Sequence, residues 1–305
     1  MNRCHHVAII GAGPAGIAAA VQLQRSGITP LLFEQTNIGG LLNNAFFVEN
    51  YPGFPKGISG INLVKKFTRH LDTWGINVVK NRVIKVYKNK KDFILQTSAK
   101  KYRVQILIVA SGTKPKLPDI DLSGCNEKTL FEVYPIRNIK NKRIVIVGSG
   151  DAALDYALNL GRNNKITILN RNNKIKGLDL LFKRIKKISQ SGNGKITFFK
   201  NTKTLALKQL NNYLIIKVLN KQKGETSICC DYVLFAIGRE PAIDFLSSPL
   251  KRIFPDGDNK SIYFLGDVRQ GNLRQTAIAT GDGIKAAMEI AQVLKKNKEE
   301  LHFVR

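Results

Sequence analysis

A glycine-rich turn between a strand and a helix is the feature that most constrains what this chain can fold into. The segment Gly11–Gly16 has the spacing G-x-G-x-x-G, follows the β-branched run 7–10 and precedes a predicted helix over 17–25. In such a turn the first glycine makes a tight bend, the second lets the backbone approach a pyrophosphate, and the third lets helix and strand pack closely. A second strand over 31–33 ends at Glu34, an acid placed to accept from a ribose hydroxyl. The segment therefore predicts a βαβ unit that binds a dinucleotide.

The same arrangement occurs a second time, further along the chain. A strand over 143–147 leads into the turn Gly148–Ala153, which precedes a predicted helix over 154–160 and a strand over 166–169. The helix N-terminus of each copy supplies N–H donors for a phosphate. Two such units mean either two bound dinucleotides or one fold duplicated.

The residues after the second copy indicate which nicotinamide dinucleotide it binds. Asn170 and Arg171 stand where the first copy has its acid. An acid there would bind a free 2′-hydroxyl, whereas Arg171 together with Lys174 and Lys176 suits a 2′-phosphate. This favours NADP over NAD, with a solvated cationic loop as the alternative interpretation.

Two more strands end in glycine, at Gly112 and Gly238, and predict two crossings between an outer domain and an inserted one. We expect one domain to comprise residues 1–113 and 241–305, and a smaller domain to comprise residues 114–240. The predicted fold class is α/β, with two Rossmann-like three-layer nucleotide-binding domains, the second inserted in the first.

Composition excludes several other classes of protein. Apolar residues make up 43% and charged residues 23% of the 305 residues, which is typical of globular chains. No apolar run approaches the ~18–20 residues that a membrane span needs, and no secretory signal is visible, so we expect a cytoplasmic protein without membrane attachment. The four cysteines include no C-x-x-C pair and are too few for a disulfide scaffold.

The net charge of +27 limits the classes of binding partner that the sequence favours. Residues 114–240 carry 24 basic and 10 acidic side chains, or +14, so the excess is spread along the chain and not gathered in a tail. A basic balance of this kind suits an acidic protein partner or a nucleic acid, or reflects a compositional bias. Nucleic-acid binding rests on charge alone, since no motif supports it.

Taken in order, the motifs resemble those of the thioredoxin reductase family, the low-molecular-weight class of two-domain pyridine nucleotide flavoproteins. The resemblance covers essentially the whole chain. Besides the two turns, its motifs are Gly39-Gly40, Val48–Gly53, Ala110–Gly112, Ala236–Gly238, and Gly266-Asp267 with Arg274-Gln275. It implies FAD in the first domain, NADPH or NADH in the inserted domain, and a homodimer. It also implies that the last helix directs its N-terminal dipole at the flavin.

Combining the turns with this resemblance gives the expected site residues. Those expected to bind FAD are Gly11, Gly13, Pro14, Ala15, Gly16, Glu34, Gly39, Gly40, Leu41, Asn50, Gly112, Gly266, Asp267, Arg274, Gln275 and Thr276. Those expected to bind NAD(P)H are Gly148, Ser149, Gly150, Asp151, Ala152, Arg171, Lys176 and Gly238.

One motif of the family is missing. A thioredoxin reductase carries a redox C-x-x-C just before the strand that leads to its second glycine turn, and here that position falls on Phe131-Glu132-Val133-Tyr134. The cysteines lie elsewhere, at Cys4, Cys125, Cys229 and Cys230. Without a thiolate at this position the thiol–disulfide route is closed, so we expect no thioredoxin reductase activity. Phe131 and Tyr134 are the candidate catalytic residues, since either ring could cover the flavin; plain hydrophobic filling is the alternative.

The expected function is that of an FAD-dependent oxidoreductase that takes a hydride from NAD(P)H and passes electrons to a separate acidic redox protein. Ferredoxin and flavodoxin are the expected partners, because a ferredoxin–NADP reductase branch resembles this family and lacks the cysteine pair. Alternative acceptors are oxygen, a quinone or a small organic substrate. An alternative of another class is a non-catalytic flavin-binding paralogue in an assembly, but the intact glycine motifs of both domains argue against it.

Overall fold

The structure, a computed structural model, describes residues 4–125, 127–190, 195–258 and 260–303, with side chains described up to residue 296. The chain forms two compact units. The first comprises residues 1–43, 48–114 and 240–305, and the second comprises residues 44–47 and 115–239. We expected residues 44–47 in the first domain, but the structure groups them with the second unit, because Asn44 and Phe46 bond to side chains there.

The elements follow one another as strands and helices in both units. The first part of the chain forms β1 (Cys4–Ile10), α1 (Pro14–Arg25), β2 (Leu31–Glu34), α2 (Gly60–Thr73), β3 (Val78–Lys80), β4 (Val83–Asn89), β5 (Asp92–Thr97), β6 (Lys101–Val109) and β7 (Thr113–Pro115). The middle part forms β8 (Thr129–Leu130), β9 (Arg143–Val147), α3 (Asp151–Leu160), β10 (Lys165–Leu169), α4 (Asp179–Gln190), β11 (Lys195–Phe199), β12 (Thr202–Leu210), β13 (Tyr213–Asn220), β14 (Gly224–Cys230) and β15 (Tyr232–Phe235). The last part forms β16 (Arg239–Pro241), α5 (Ser248–Arg252), β17 (Ile262–Phe264) and α6 (Thr276–Phe303).

The first unit is built on a mixed sheet with the order β3-β2-β1-β6-β5-β4. Strands β1, β2, β3 and β6 are parallel, β17 pairs in parallel with the carboxyl-terminal part of β6, and β4 and β5 are antiparallel. Because parallel strands end at one edge, this sheet brings the carboxyl ends of β1, β2, β6 and β17 together, where ligands bind in doubly wound folds.

The second unit contains a parallel sheet with the order β11-β10-β9-β15-β8 and a separate antiparallel sheet of β12, β13 and β14. Helices α3 and α4 pack on one face of the parallel sheet, and β12 to β14 contribute to the apolar cluster on its other face. The described fold is therefore two Rossmann-like α/β units, as the sequence predicted.

Alternation of side chains along the central strands places the cores. In β1, Val7 and Ile9 belong to the apolar cluster with α1 and α6, whereas Ala8 and Ile10 belong to the cluster on the opposite face. Successive strand residues point to opposite faces, so a continuous apolar run is required when both faces are covered. This explains why these strands read as uninterrupted apolar segments.

Both nucleotide-turn helices begin earlier than the sequence predicted. Helix α1 begins at Pro14 and α3 at Asp151, directly after Gly13 and Gly150, which have extended N-cap conformations. In α1 the first helical residue is Pro14, whose φ suits that position. In both units the last residues of the turn already belong to the helix. Among the described residues, no helix is both long and apolar enough to cross a membrane.

Candidate dinucleotide sites

The first glycine turn is close-packed at Gly11 and Gly16 and open at Gly13. Gly11 has φ +106°, its N–H donates to the Phe33 carbonyl (2.9 Å), and a Cβ there would lie 2.3 Å from the Ala110 carbonyl oxygen. A Cβ on Gly16 would lie 1.9 Å from the Gly11 carbonyl oxygen. Around Gly13, by contrast, no non-neighbouring heavy atom of the described chain lies within 4 Å of such a Cβ. The turn thus leaves a backbone cradle at Gly13, as a pyrophosphate site requires.

Glu34 lies at the carboxyl end of β2 beside this turn. It is 8% exposed; its Oε2 accepts from the Ala12 N–H (2.8 Å), and its Oε1 accepts from the Thr36 N–H (2.9 Å). The Thr36 hydroxyl also donates to Oε1 (3.3 Å). A carboxylate accepts at about four positions, so these three bonds leave capacity for a ribose hydroxyl. Glu34 therefore braces the turn as well as occupying the position expected for a ribose ligand.

The second glycine turn repeats this geometry in the second unit. Gly148 has φ +126°, its N–H donates to the Leu169 carbonyl (2.9 Å), and a Cβ would lie 2.3 Å from the Ala236 carbonyl oxygen. Gly150 is open in the same way as Gly13. Neither α1 nor α3 has a side chain that caps its N-terminus, so their first N–H groups remain available for a phosphate.

A loop after β10 is tied to the second turn. The Ser149 carbonyl accepts from the N–H groups of Lys176 (3.1 Å) and Gly177 (2.9 Å), and Asp151 Oδ1 accepts from the Leu178 N–H (2.8 Å). The sequence interpretation did not single out Gly177, where a Cβ would lie 2.4 Å from a Leu154 methyl carbon. Lys176 is thus held at the turn by its backbone while its side chain stays exposed.

Asn170 shapes the remainder of that loop. Its side chain is 3% exposed, its Oδ1 accepts from the Asn172 N–H (3.2 Å), and its Nδ2 donates to the Lys174 carbonyl (3.1 Å). Arg171 and Lys174 carry exposed side chains on the loop that Asn170 organises. Asn170 therefore has a structural role where the first unit has an acid, and the exposed cations remain candidates for a 2′-phosphate.

Two expected FAD-binding residues of the first unit, far apart in sequence, are joined by a hydrogen bond. Asn50 Nδ2 donates to Gln275 Oε1 (2.8 Å), a contact between residues 225 positions apart. Both are among the residues expected to bind FAD, and Thr276 directly follows Gln275 as the first residue of α6. Arg274 is half-buried. The hydrogen bond holds two predicted flavin-facing side chains at one place.

The other predicted FAD residues lie close to the backbone of the first turn or at strand ends. The Gly39 N–H donates to the Ala12 carbonyl (2.7 Å), and a Cβ on Gly40 would lie 3.6 Å from Gly13 Cα. Leu41 is half-buried in the 3₁₀ turn Gly40–Asn44 that follows. The remaining positions, at the ends of strands and in a second 3₁₀ turn, are Gly112, Gly266 and Asp267.

Gly266 also reveals a residue that sequence reasoning missed. Its N–H donates to Asp282 Oδ2 (3.0 Å), and the same oxygen accepts from Gln270 Nε2 (2.7 Å). Asp282 lies on α6, and no motif used in the sequence interpretation contains it. The available sequence signal is that Asp282 stands next to Gly283, the glycine at which α6 packs against α1. This signal becomes recognisable once the packing of the two helices is known.

The position expected for a cysteine pair is filled by packed and ion-paired side chains. The Phe131 ring stacks near Phe235, with 5.9 Å between centroids, and Val133 is fully buried. Glu132 forms an ion pair with Arg239 (3.2 Å). The Tyr134 ring faces the Arg137 guanidinium at 4.0 Å. For Phe131 this packing favours the hydrophobic-filling interpretation.

Residues 44–47 bind directly to this segment of the second unit. Asn44 donates to Glu132 (3.2 Å) and accepts from the Tyr134 N–H (2.9 Å). The Phe46 N–H donates to Asp155 Oδ2 (2.8 Å). Burial raises the pKa of Asp155 to about 6 and that of the neighbouring Tyr156 to about 12. Phe46 is therefore held by a carboxylate, that of Asp155, whose charge is costly to bury.

All four cysteines are free. Burial raises the pKa of the Cys4 and Cys125 thiols, and it raises that of Cys230 to about 12. Cys229 is exposed, and its Sγ accepts from Arg143 at 3.6 Å. In the part of the chain that the structure describes, no group of three or more His, Cys, Asp or Glu side chains could hold a metal ion.

Two glycine turns of matching geometry, each at the carboxyl ends of parallel strands, define a protein that binds two dinucleotides. The family model for pyridine nucleotide-disulphide oxidoreductases matches residues 5–283, and the chain belongs to this family, on its thioredoxin reductase-like side. It is an NAD(P)H-dependent FAD oxidoreductase, and FAD and NADPH are the cofactors that the family uses.

Similar proteins cover nearly the whole chain. Thioredoxin reductase from Bacillus subtilis (strain 168) is 28% identical, over 98% of this chain and 98% of the relative, and that of Chlamydia pneumoniae is 29% identical, over 94% and 97%. Among solved structures, Lactococcus lactis thioredoxin reductase has 26% identity and a TM-score of 0.83, covering 96% of this chain and 99% of that one. A bacillithiol disulfide reductase from Bacillus cereus, 18% identical with a TM-score of 0.76, shares the fold and covers 95% and 99%.

Proposed function

We propose that this enzyme passes electrons from NADPH to a separate acidic redox protein of the ferredoxin or flavodoxin type, without a redox cysteine pair of its own. The observation that carries the proposal is the segment Phe131–Tyr134. In the relatives named thioredoxin reductases the chemistry is directed at a disulfide, whereas here this segment supplies two aromatics, a buried valine and an ion-paired glutamate. The reaction oxidises one NADPH to NADP⁺ and reduces two one-electron carriers, with release of one proton.

The residues of both units fit the two cofactors. The open backbone at Gly13 and Gly150 and the uncapped N-termini of α1 and α3 are suited to pyrophosphates. When bound, FAD supplies the step between a hydride donor and a one-electron acceptor. The chain's contribution is to orient: Glu34 would hold a ribose, and the Asn50–Gln275 pair would hold the ring edge.

The cysteines support a route without thiols. Cys229 and Cys230 are neighbours on β14, where successive side chains point to opposite faces; one is exposed and the other is buried. A thiol with a pKa near 12 is almost entirely protonated at neutral pH, so Cys230 is a poor nucleophile. Cys125 is buried as well. None of these thiols reproduces the spacing of a C-x-x-C pair.

The charge of the chain supports an acidic partner. A net charge of +27 creates a positive field that raises the encounter rate of an acidic protein, and this steering weakens as salt screens it. A small neutral acceptor such as oxygen or a quinone would not respond in this way. The salt dependence of the acceptor's KM therefore separates the two kinds of acceptor.

The experiment begins anaerobically with the flavin-loaded protein. We expect NADPH to bleach the visible flavin absorption, and ferredoxin or flavodoxin to restore it with a KM that rises severalfold with ionic strength. At saturating NADPH the bleaching rate should change little with salt, because the steering of the anionic dinucleotide to its site then no longer limits the rate. A flat salt response with both carriers, combined with rapid reoxidation by oxygen or a quinone, would overturn the choice of partner.

A variant with Cys4, Cys125, Cys229 and Cys230 all replaced by serine is the control for the thiol route. We expect it to retain both flavin bleaching and onward electron transfer. If the unmodified protein reduced thioredoxin and this variant did not, the exclusion of a cysteine route would be wrong.

A further inference from the structure

The loop 266–275 carries four of the residues expected to bind FAD, and α6 braces it from one side. The loop begins at the 3₁₀ turn Gly266–Val268, which contains Asp267, and it ends at Gln275 just before α6. Much of it is exposed, including Leu273 at 70%. An exposed loop of this kind needs an internal brace to hold its functional side chains in position.

Asp282 supplies two hydrogen bonds to this loop through a single oxygen. Its Oδ2 accepts from the Gly266 N–H (3.0 Å) at the beginning of the loop and from Gln270 Nε2 (2.7 Å) in its middle. The Gly266 carbonyl in turn accepts from the Arg269 N–H (2.9 Å). The carboxylate thus connects the loop to α6 at two points.

The position of Asp282 is itself set by the neighbouring glycine. A Cβ on Gly283 would lie 2.2 Å from the Ala15 carbonyl oxygen, so α6 crosses α1 in direct backbone contact there. A Cβ on Gly266 would lie 2.8 Å from the Ala15 Cβ. The loop, α6 and the beginning of α1 therefore meet around Ala15, within the turn that is expected to bind the FAD pyrophosphate.

We propose that Asp282 is a positioning residue for FAD, because it ties the flavin-facing loop 266–275 to the helix that packs on the pyrophosphate turn. This rests on the expected FAD roles of Asp267 and Gln275, and it does not depend on the identity of the electron acceptor. Removing the carboxylate leaves the Gly266 N–H and the Gln270 amide without their acceptor, and the loop loses these two hydrogen bonds to α6.

The test is FAD binding by the deflavinated full-length chain, followed by flavin fluorescence and by the shape of the bound flavin's visible spectrum. For Asp282→Ala we expect an FAD Kd raised on the order of tenfold and a flavin spectrum closer to that of free FAD. For Asp282→Asn we expect a Kd within about twofold of the unmodified protein, because both donors reach one oxygen that an amide also provides. Glu289→Ala is the matched control, an acid on the same helix that forms an ion pair with Lys285 at 3.9 Å.

A purely structural role would give a different pattern. It would lower the unfolding temperature of the deflavinated chain while the folded fraction kept its FAD affinity and spectrum, and that result for Asp282→Ala would overturn the proposal. Should this variant fail to fold, Gln270→Ala decides: a Kd raised about threefold supports the proposal and an unchanged Kd contradicts it. Failure of the acceptor assays would leave these binding results intact, so the two proposals fail separately.

Discussion

Replacing Asp155 with asparagine tests whether a buried charge in the second unit costs stability at neutral pH. Asp155 lies on α3 and accepts from the Phe46 N–H at 2.8 Å. Burial, with a smaller contribution from the charge of Asp151, raises its pKa from 3.8 to about 6. The asparagine keeps an oxygen that can accept the Phe46 hydrogen bond but never ionises.

The magnitude follows from proton linkage. A pKa raised by roughly two units means that ionising Asp155 lowers the free energy of unfolding by ~3 kcal/mol, at ~1.4 kcal/mol per unit. This value is an upper bound, because water reaches part of the carboxylate. The folded protein holds the proton more tightly than the unfolded chain, so proton binding stabilises the fold fully below about pH 4. This stabilisation is lost as the pH rises through about 6, where the folded carboxylate ionises.

We therefore expect the free energy of unfolding of Asp155→Asn, relative to the unmodified protein, to rise by ~1–3 kcal/mol between about pH 4 and about pH 8. Any effect of the amide group itself is constant with pH and leaves this slope unchanged. Urea unfolding of the two flavin-loaded proteins across that range, followed by circular dichroism, measures the difference. Glu127→Gln, an exposed carboxylate of the same unit, is the control and should show a flat difference.

A flat difference for Asp155→Asn would refute the reasoning, since it would mean that Asp155 has the same proton affinity in the folded and unfolded chains. A slope of the opposite sign would also refute it. That result would show that the Phe46 hydrogen bond outweighs desolvation and that the ionised carboxylate stabilises the fold.

Two further predictions concern the second unit's dinucleotide. Arg171→Ala should raise the KM for NADPH at least tenfold and leave the KM for NADH nearly unchanged, because NADH has no 2′-phosphate to contact. An equal rise in both KM values in steady-state assays would exclude this contact. Lys183→Ala, which removes another exposed cation of the same unit, is the control. Gly148→Ala should abolish flavin bleaching by NADPH while FAD content stays normal, because its φ of +126° and the 2.3 Å approach to Ala236 exclude a methyl group. Gly224→Ala, at φ +74° in open space, is its control, and normal bleaching by Gly148→Ala would contradict the site assignment.

Sequence reasoning succeeded where local chemistry leaves few alternatives. Gly11 and Gly148 both combine a positive φ with a carbonyl oxygen 2.3 Å from where a Cβ would lie, so only glycine fits, and the spacing of such residues is readable in one dimension. The strands before each turn were equally clear, because burial on both faces produces a continuous apolar run. The two Rossmann-like units follow from these features together.

The contacts that the sequence did not predict depend on distant residues. Asp282 meets Gly266 only because α6 returns along α1, and no periodicity indicates that approach. Asn44 and Phe46 lie in a segment without a motif, and their partners Glu132 and Asp155 are far along the chain. Propensity and spacing describe local structure, whereas these contacts are set by tertiary packing.

The grouping of residues 44–47 with the second unit limits how that unit can be isolated. A fragment of 115–239 contains every strand of the unit's two sheets, yet it lacks the chain that supplies hydrogen bonds to Glu132, Tyr134 and Asp155. Excision would also remove Phe46 from the apolar cluster it packs against. All strands of the second unit's two sheets thus come from one continuous stretch of chain, but part of its hydrogen bonding and packing comes from residues 44–47. A domain boundary that includes only the continuous stretch would remove those contacts.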